Sequence, residues 1–131
     1  MKLHTSYFAK VKHLQEMGYN NLVCIAGYAP KFFFNVSGAR FVPELAPKRE
    51  WWREWHGKFG SDPNSLESVE WYTQRYVETV LNKLNPHEIV GNLGDGAVML
   101  CYERPDAFCH RHIVSKWITS NTGVEVEEIS I

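Results

Sequence analysis

The sequence predicts an α/β domain in which helices cover both faces of a short, mostly parallel sheet. Three observations carry this expectation. Two runs, Leu22-Val23-Cys24-Ile25-Ala26 and Ala97-Val98-Met99-Leu100-Cys101-Tyr102, are apolar at every position, as strands covered on both faces must be. Strand-like runs alternate with stretches of helical period. The chain has 131 residues, one domain's worth, enough to bury a core without staples.

The elements follow in order. Residues 3–8 are extended. Residues 10–17 form a short helix with Val11, Leu14 and Met17 on one side, and Gly18 is placed to end it. Residues 21–26 form the first apolar strand, which Gly27 and Pro30 close. Residues 28–47 hold Phe32-Phe33-Phe34, Gly38, Pro43 and Pro47 and read as one long loop, of the length that carries function. Residues 48–59 read as an amphipathic helix crowded with Trp51, Trp52 and Trp55. A turn over 60–65 leads to a long helix over 66–84, with Asn64 and Glu67 at capping-box spacing. Its stripe is Val69, Tyr72, Tyr76, Val77, Val80, Leu81 and Leu84. Residues 86–90 read as a turn, and Gly91, Gly94 and Gly96 break the chain before the strand at 97–102. A turn over 103–106 precedes a helix over 107–120, ended by Gly123, and a closing strand over 124–129.

Composition bounds the function. Lys and Arg number 14 against 15 Asp and Glu, for a formal charge of −1. That excludes a strongly basic, sequence-blind DNA binder and leaves room for a local basic groove. Hydrophobic residues at 44% and charged residues at 22% exclude intrinsic disorder. Aromatic residues reach 14%; such rings fill a core, stack on a base or sit at an interface. The three cysteines, Cys24, Cys101 and Cys109, form no paired spacing, so reduced thiols in a cytoplasm are expected. No signal peptide is expected, and no apolar run approaches the roughly 20 residues of a membrane helix.

In parallel α/β sheets, ligands bind outside the carboxyl ends of the strands. That rule points to residues 5–8, with Ser6 and Tyr7; to 27–30, with Tyr28; and to 102–106. The most informative stretch runs from Cys101 to His112. The helical core positions Ile113, Val114, Trp117 and Ile118, projected backward, aim Cys109 and His110 at the sheet and leave Arg111 on a flank. Cys101 and Glu103, two apart, share a strand face. Five polar or nucleophilic groups thus converge on one strand end.

Each residue type has a use there. A helix N-terminus favours an anion, and Arg111 adds a bidentate clamp for phosphate or carboxylate. The same field favours thiolate at Cys109. Glu103 is placed to act as a general base or to order His110. Tyr7, Ser6, Tyr28 and Cys101 complete the candidate ligand contacts.

Blander readings stand beside these: Cys101 and Cys109 as small buried hydrophobes, Glu103 as a surface carboxylate, His110 as a hydrogen-bonded core residue. Metal binding by His4, Cys101, Cys109, His110 and His112 lacks a CxxC or HxxxH pair, so no metal is assigned. Neither Cys101 nor Cys109 has Arg six positions on, as a phosphatase-like loop requires. Gly91-Asn92-Leu93-Gly94-Asp95-Gly96 precedes its strand and so reads as a turn, not a phosphate loop. Trp51, Trp52 and Trp55 fit core spacing, while Lys48, Arg49 and Arg53 between and beside them suit a base-stacking surface. Phe32 to Phe34 pack the loop down or form a ligand lid.

Leu100-Cys101-Tyr102-Glu103-Arg104-Pro105, then Phe108-Cys109-His110-Arg111-His112-Ile113-Val114, with Trp117 and Gly123-Val124-Glu125-Val126, resembles the C-terminal signature of the domain of unknown function 488 family. Thr5-Ser6-Tyr7-Phe8-Ala9 and Leu45-Ala46-Pro47-Lys48 with Trp55 resemble a compact branch of it. The sequence departs from the family at Cys24-Ile25-Ala26-Gly27, near which many members carry Asp-Val-Arg. The resemblance implies a Rossmann-like fold and emphasises Cys101, Glu103, Cys109, His110 and Arg111. It names no reaction and no cofactor. The expectation is a pocket for a small anionic ligand, a nucleotide or nucleic-acid fragment. Glu103, Cys109 and His110 would do the chemistry in it. A non-catalytic sequestering or protein-interaction module is the alternative, and a metal site at the Cys/His cluster the second.

Overall fold

The computed structural model describes residues 1–104 and 107–130. Five parallel strands lie in the order β3-β2-β4-β1-β5: β1 Lys2–Tyr7, β2 Leu22–Cys24, β3 Ala39–Phe41, β4 Val98–Cys101 and β5 Glu125–Glu128. The helices are α1 Val11–Glu16, α2 Arg49–Phe59, α3 Leu66–Thr79, α4 Pro86–Leu93 and α5 His110–Thr122. The Rossmann-like expectation holds, with central strands buried at nearly every position because helices cover both faces. No described helix is long and apolar enough to cross a membrane.

Alternation along the strands sorts the core into two halves. Leu3, Val23 and Met99 face the larger cluster, which holds Trp51, Trp55, Tyr72, Tyr76, Val114 and Ile118 from α2, α3 and α5. Leu22, Cys24, Val98 and Leu100 face the smaller one, with Phe8, Val11, Leu14 and Phe33. One layer is therefore α1 and its flanking turns, and the other is α2 to α5.

Several elements differ from expectation. The stretch 28–47 contains an edge strand, β3, too short and too exposed to show a pattern. It is pinned at its centre by Arg40. That guanidinium donates to Asn21 Oδ1 at 2.8 Å, Leu93 O at 2.9 Å and Asn92 O at 2.6 Å. Residues 86–90 are helical: Asn85 Oδ1 accepts from the N–H groups of His87 and Glu88, and Pro86 occupies the first turn, where its missing donor costs nothing. The Asn-Pro pair is a helix start here. Asn85→Ala is expected to cost about 1 kcal/mol, read as a lowered urea midpoint with an unchanged slope.

Helix α3 stops at Thr79 rather than Leu84, because Val80 leaves the helical region at φ −121° and ψ −69°. Its N-cap is Ser65, which accepts from Ser68 N. Asn64 instead accepts from Phe108 N at 2.8 Å, tying the approach to α5. Helix α5 starts at His110, not at residue 107, since Cys109 is extended at φ −148° and ψ 146°. Pro105 and Asp106 of the predicted turn lie outside the described residues. Gly123 ends α5 in the left-handed region at φ 75°, as predicted, where a Cβ would be strained.

The thiols also depart from expectation. Cys101 and Cys109 are joined as a disulfide, and Cys24 is free and buried. An odd cysteine count hid a pair eight residues apart, because the chain doubles back between the end of β4 and the start of α5.

Candidate functional site

The carboxyl ends of β2 and β4 open into a cavity of about 820 Å³. Ala26, Gly27 and Tyr28 after β2, and Tyr102 and Glu103 after β4, form one side. Arg49, Trp52 and Arg53 of α2 form the opposite side. Cys101, Cys109 and His110 also line it, with the rings of Trp55, Tyr72 and Phe108. The site thus sits where the topology rule places it.

The aromatic wall is a packed unit. The Tyr72 ring meets Phe108 edge-on at 4.8 Å between centroids and Trp55 at 5.0 Å. Edge-to-face pairs at these distances are favourable packing geometries, and here they form one wall of the cavity. Trp55 Nε1 donates to Ser68 Oγ at 3.0 Å. At the rim, the exposed Tyr28 and Tyr102 rings lie 5.3 Å apart, and burial with the neighbouring Tyr28 pushes the Tyr102 phenol up to about 12.

His110 is the first residue of α5, so the extended Cys109 before it turns the ring inward, where it is 6% exposed. Its Nε2 lies 2.7 Å from Ile25 O. A carbonyl only accepts, so Nε2 carries the proton and Nδ1 keeps its lone pair. That lone pair faces Cys109 Sγ at 3.9 Å. Burial, with the Arg111 and His112 charges, depresses the imidazole to about 4 against the pull of the Ile25 carbonyl. His110 is therefore neutral near pH 7, and its ring is oriented by the backbone rather than by Glu103.

Arg111 is not on a flank. It lies three residues before Val114 and seven before Ile118, on the buried face of α5, where its residue exposure is 0%. Its Nε and Nη2 donate to the two Glu128 oxygens, each at 3.0 Å, and its Nη1 donates to Cys101 Sγ at 3.1 Å. Thr5 Oγ1 donates to the same Glu128 at 2.5 Å. Burial pushes the Glu128 carboxyl up, but the bonds from Arg111 and Thr5 outweigh it and leave it below its ordinary value.

The predicted residues divide accordingly. Cys101, Cys109, His110, Glu103 and Tyr28 share the cavity lining. Arg111 stands behind Cys101. Tyr7 packs its half-buried ring 5.9 Å from the Arg111 guanidinium carbon. Ser6 alternates onto the other face of β1, opposite Leu100, and is fully buried, its hydroxyl without a hydrogen-bond partner among the described residues. Glu103 is exposed beyond β4 rather than sharing a strand face with Cys101.

Sequence reasoning missed Glu128 as a partner of Arg111. In β5 the run Glu125-Val126-Glu127-Glu128 reads as a solvated edge; only the register Thr5↔Glu128 turns its last residue inward. Arg49, Trp52 and Arg53 were visible as a cluster, but nothing local aimed them at this strand end. The sulfurs of Cys101 and Cys109 and a ring nitrogen of His110 lie within 4.8 Å of one another, but with the two sulfurs bonded to each other the group offers no thiolate to a soft metal ion.

No curated protein and no solved structure matches the chain. A family model does: residues 21–122 match the one described as the active DUF488-N3 subclade, across most of the fold and all of the cavity's strand-end and helix-start residues. The chain belongs to the domain of unknown function 488 family.

Proposed function

We propose that the strand-end cavity binds a phosphate-containing nucleotide or a nucleic-acid-derived fragment and, with its thiols reduced, acts on it. The observation that carries this reading is the pairing of arginines with rings around one opening: Arg49 and Arg53, one turn apart on α2, with Trp52 between them and Tyr28 and Tyr102 opposite. Guanidinium groups suit phosphate, and flat rings suit bases. The first turn of α5 adds N–H groups that no side chain at Cys109 caps, which favours an anion there.

In this reading the chemistry lies deeper. Cys109 is the nucleophile and neutral His110 takes its proton through Nδ1. Glu103, exposed at the rim, is the second proton-transfer group. Arg111, occupied by Glu128 and Cys101, acts as a charge behind the thiols and not as a direct clamp. The description of the matched subclade as active agrees with catalysis. The closed disulfide favours the second reading, a sequestering module, because it removes the free thiol from the cavity. Ligand recovered unchanged after long incubation with reduced protein would select that module.

Binding is tested by thermal shift with nucleoside mono- and diphosphates and with inorganic phosphate. A nucleotide at a hundred times its Kd stabilises by about 2.7 kcal/mol. The Arg49→Ala/Arg53→Ala protein is expected to bind it roughly 10-fold to 100-fold more weakly, for about 1.5–3 kcal/mol lost in charged contacts. Wild type shifting no more than this double variant with every compound would end the proposal.

A further inference from the structure

We propose that Cys101 and Cys109 form a thiol–disulfide exchange centre in which a small thiol entering the cavity attacks Cys109 Sγ and Cys101 departs as a thiolate held by Arg111. The proposal shares the cavity with the nucleotide reading but needs none of its ligand.

Asymmetry between the two sulfurs carries the argument. Cys109 is the more accessible, 6% exposed against 1% for Cys101, so an incoming thiolate meets Cys109 first. Cys101 is the better leaving group, since its sulfur accepts a charged hydrogen bond from Arg111 Nη1 at 3.1 Å. A leaving thiol stabilised as its anion departs faster. The bidentate Glu128 carboxylate fixes Arg111 in place, and Thr5 fixes Glu128. Thr5 and Glu128 are thus positioning residues for the leaving sulfur. Arg111, Glu128, His110 and His112 lie around the pair, and Glu103, Arg49 and Arg53 line the cavity side.

The step balances. The incoming RS⁻ forms an RS–S bond to Cys109 while the Cys101–Cys109 bond breaks and leaves its electron pair on Cys101. A second RS⁻ attacks the R sulfur, releases RSSR and leaves Cys109 as a thiolate that takes a proton from solvent. The protein disulfide is reduced by two electrons and two RSH are oxidised to RSSR. In the reverse direction, RSSR forms the mixed disulfide at Cys109 and Cys101 resolves it.

Three readouts on the full chain test this, with glutathione as the probe thiol. Air-oxidised wild type, denatured and alkylated, is expected to take one iodoacetamide group, and protein first reduced by glutathione to take three, matching its three cysteines. Glutathione disulfide is expected to leave a lasting adduct on Cys109 in the Cys101→Ser protein, and none that accumulates in wild type. Thiolate ultraviolet absorbance at pH 7 is expected in Cys109→Ser at about tenfold the level of an ordinary thiol, which is only a few per cent ionised there, and is absent in Cys101→Ser. Three alkyl groups on the oxidised wild type, no adduct in Cys101→Ser, or thiolate residing on Cys109 would each overturn the proposal. Circular dichroism is recorded on both single variants, so that loss of the fold is told apart from loss of the exchange chemistry. Nucleotide binding is measured separately, so either idea can fail alone.

Discussion

Glu128→Ala is expected to destabilise the fold by about 3–5 kcal/mol, because it strands a charge inside the protein. Arg111 has 0% side-chain exposure and its ion-pair partner Glu128 has 24%. The pair spans the gap between α5 and β5, so its loss also loosens the edge strand, which is held on one side only, by β1. For a chain of this length the loss lowers Tm by roughly 10–20 °C. Removing both charges differs from removing one. Arg111→Met with Glu128→Leu keeps the volume and leaves no unpaired charge, so the double variant is expected to be more stable than Glu128→Ala alone. Thermal melts of wild type, the two single variants and the double variant decide it. A Glu128→Ala protein within about 1 kcal/mol of wild type would show that the carboxylate is a solvated surface group after all.

The sequence made most of the sheet legible through burial. Val23 and Met99 sit in central strands where every position is covered, and runs apolar on both faces say so directly. The edge strand β3 was illegible for the opposite reason: with only Ala39, Arg40 and Phe41, half open to solvent, it has neither periodicity nor length. Helix α4 was hidden by Asn85-Pro86, which begins turns and helices alike. At the site, the α5 stripe turns His110 inward as expected, but it also carries Arg111, which lies three positions before Val114 and seven before Ile118 and so shares their face instead of a flank. Long-range pairings were the least legible. Nothing near Arg111 in the chain announces Glu128, and nothing near Cys101 announces that the chain returns Cys109 to it.

Acid is expected to destabilise this protein well above the pH range where carboxylates titrate, and His110 is the main reason. Its imidazole is depressed to about 4 by burial, the Arg111 and His112 charges adding to the effect, while in the unfolded chain it titrates near 6.5. The unfolded state therefore takes up a proton first. Stability is complete above roughly pH 6.5 and falls as the pH drops toward 4, by about 3 kcal/mol in all. His4 and His112, both depressed chiefly by burial, push in the same direction. Glu128 adds a separate loss lower down: its folded-state value lies below the ordinary one, so its contribution is present above the unfolded value and disappears as the pH falls through the folded one. Urea midpoints measured from pH 8 to pH 4 should hold steady and then decline from about 6.5. His110→Gln keeps an amide donor for the Ile25 carbonyl but has no proton to gain. It should start less stable at pH 8 and lose much less between pH 6.5 and 5. A wild-type midpoint that is flat across that interval, or a His110→Gln protein with an undiminished slope, would mean that the ring is charged or open to water in the folded state. Its neutral Nδ1 would then be lost as a base for Cys109.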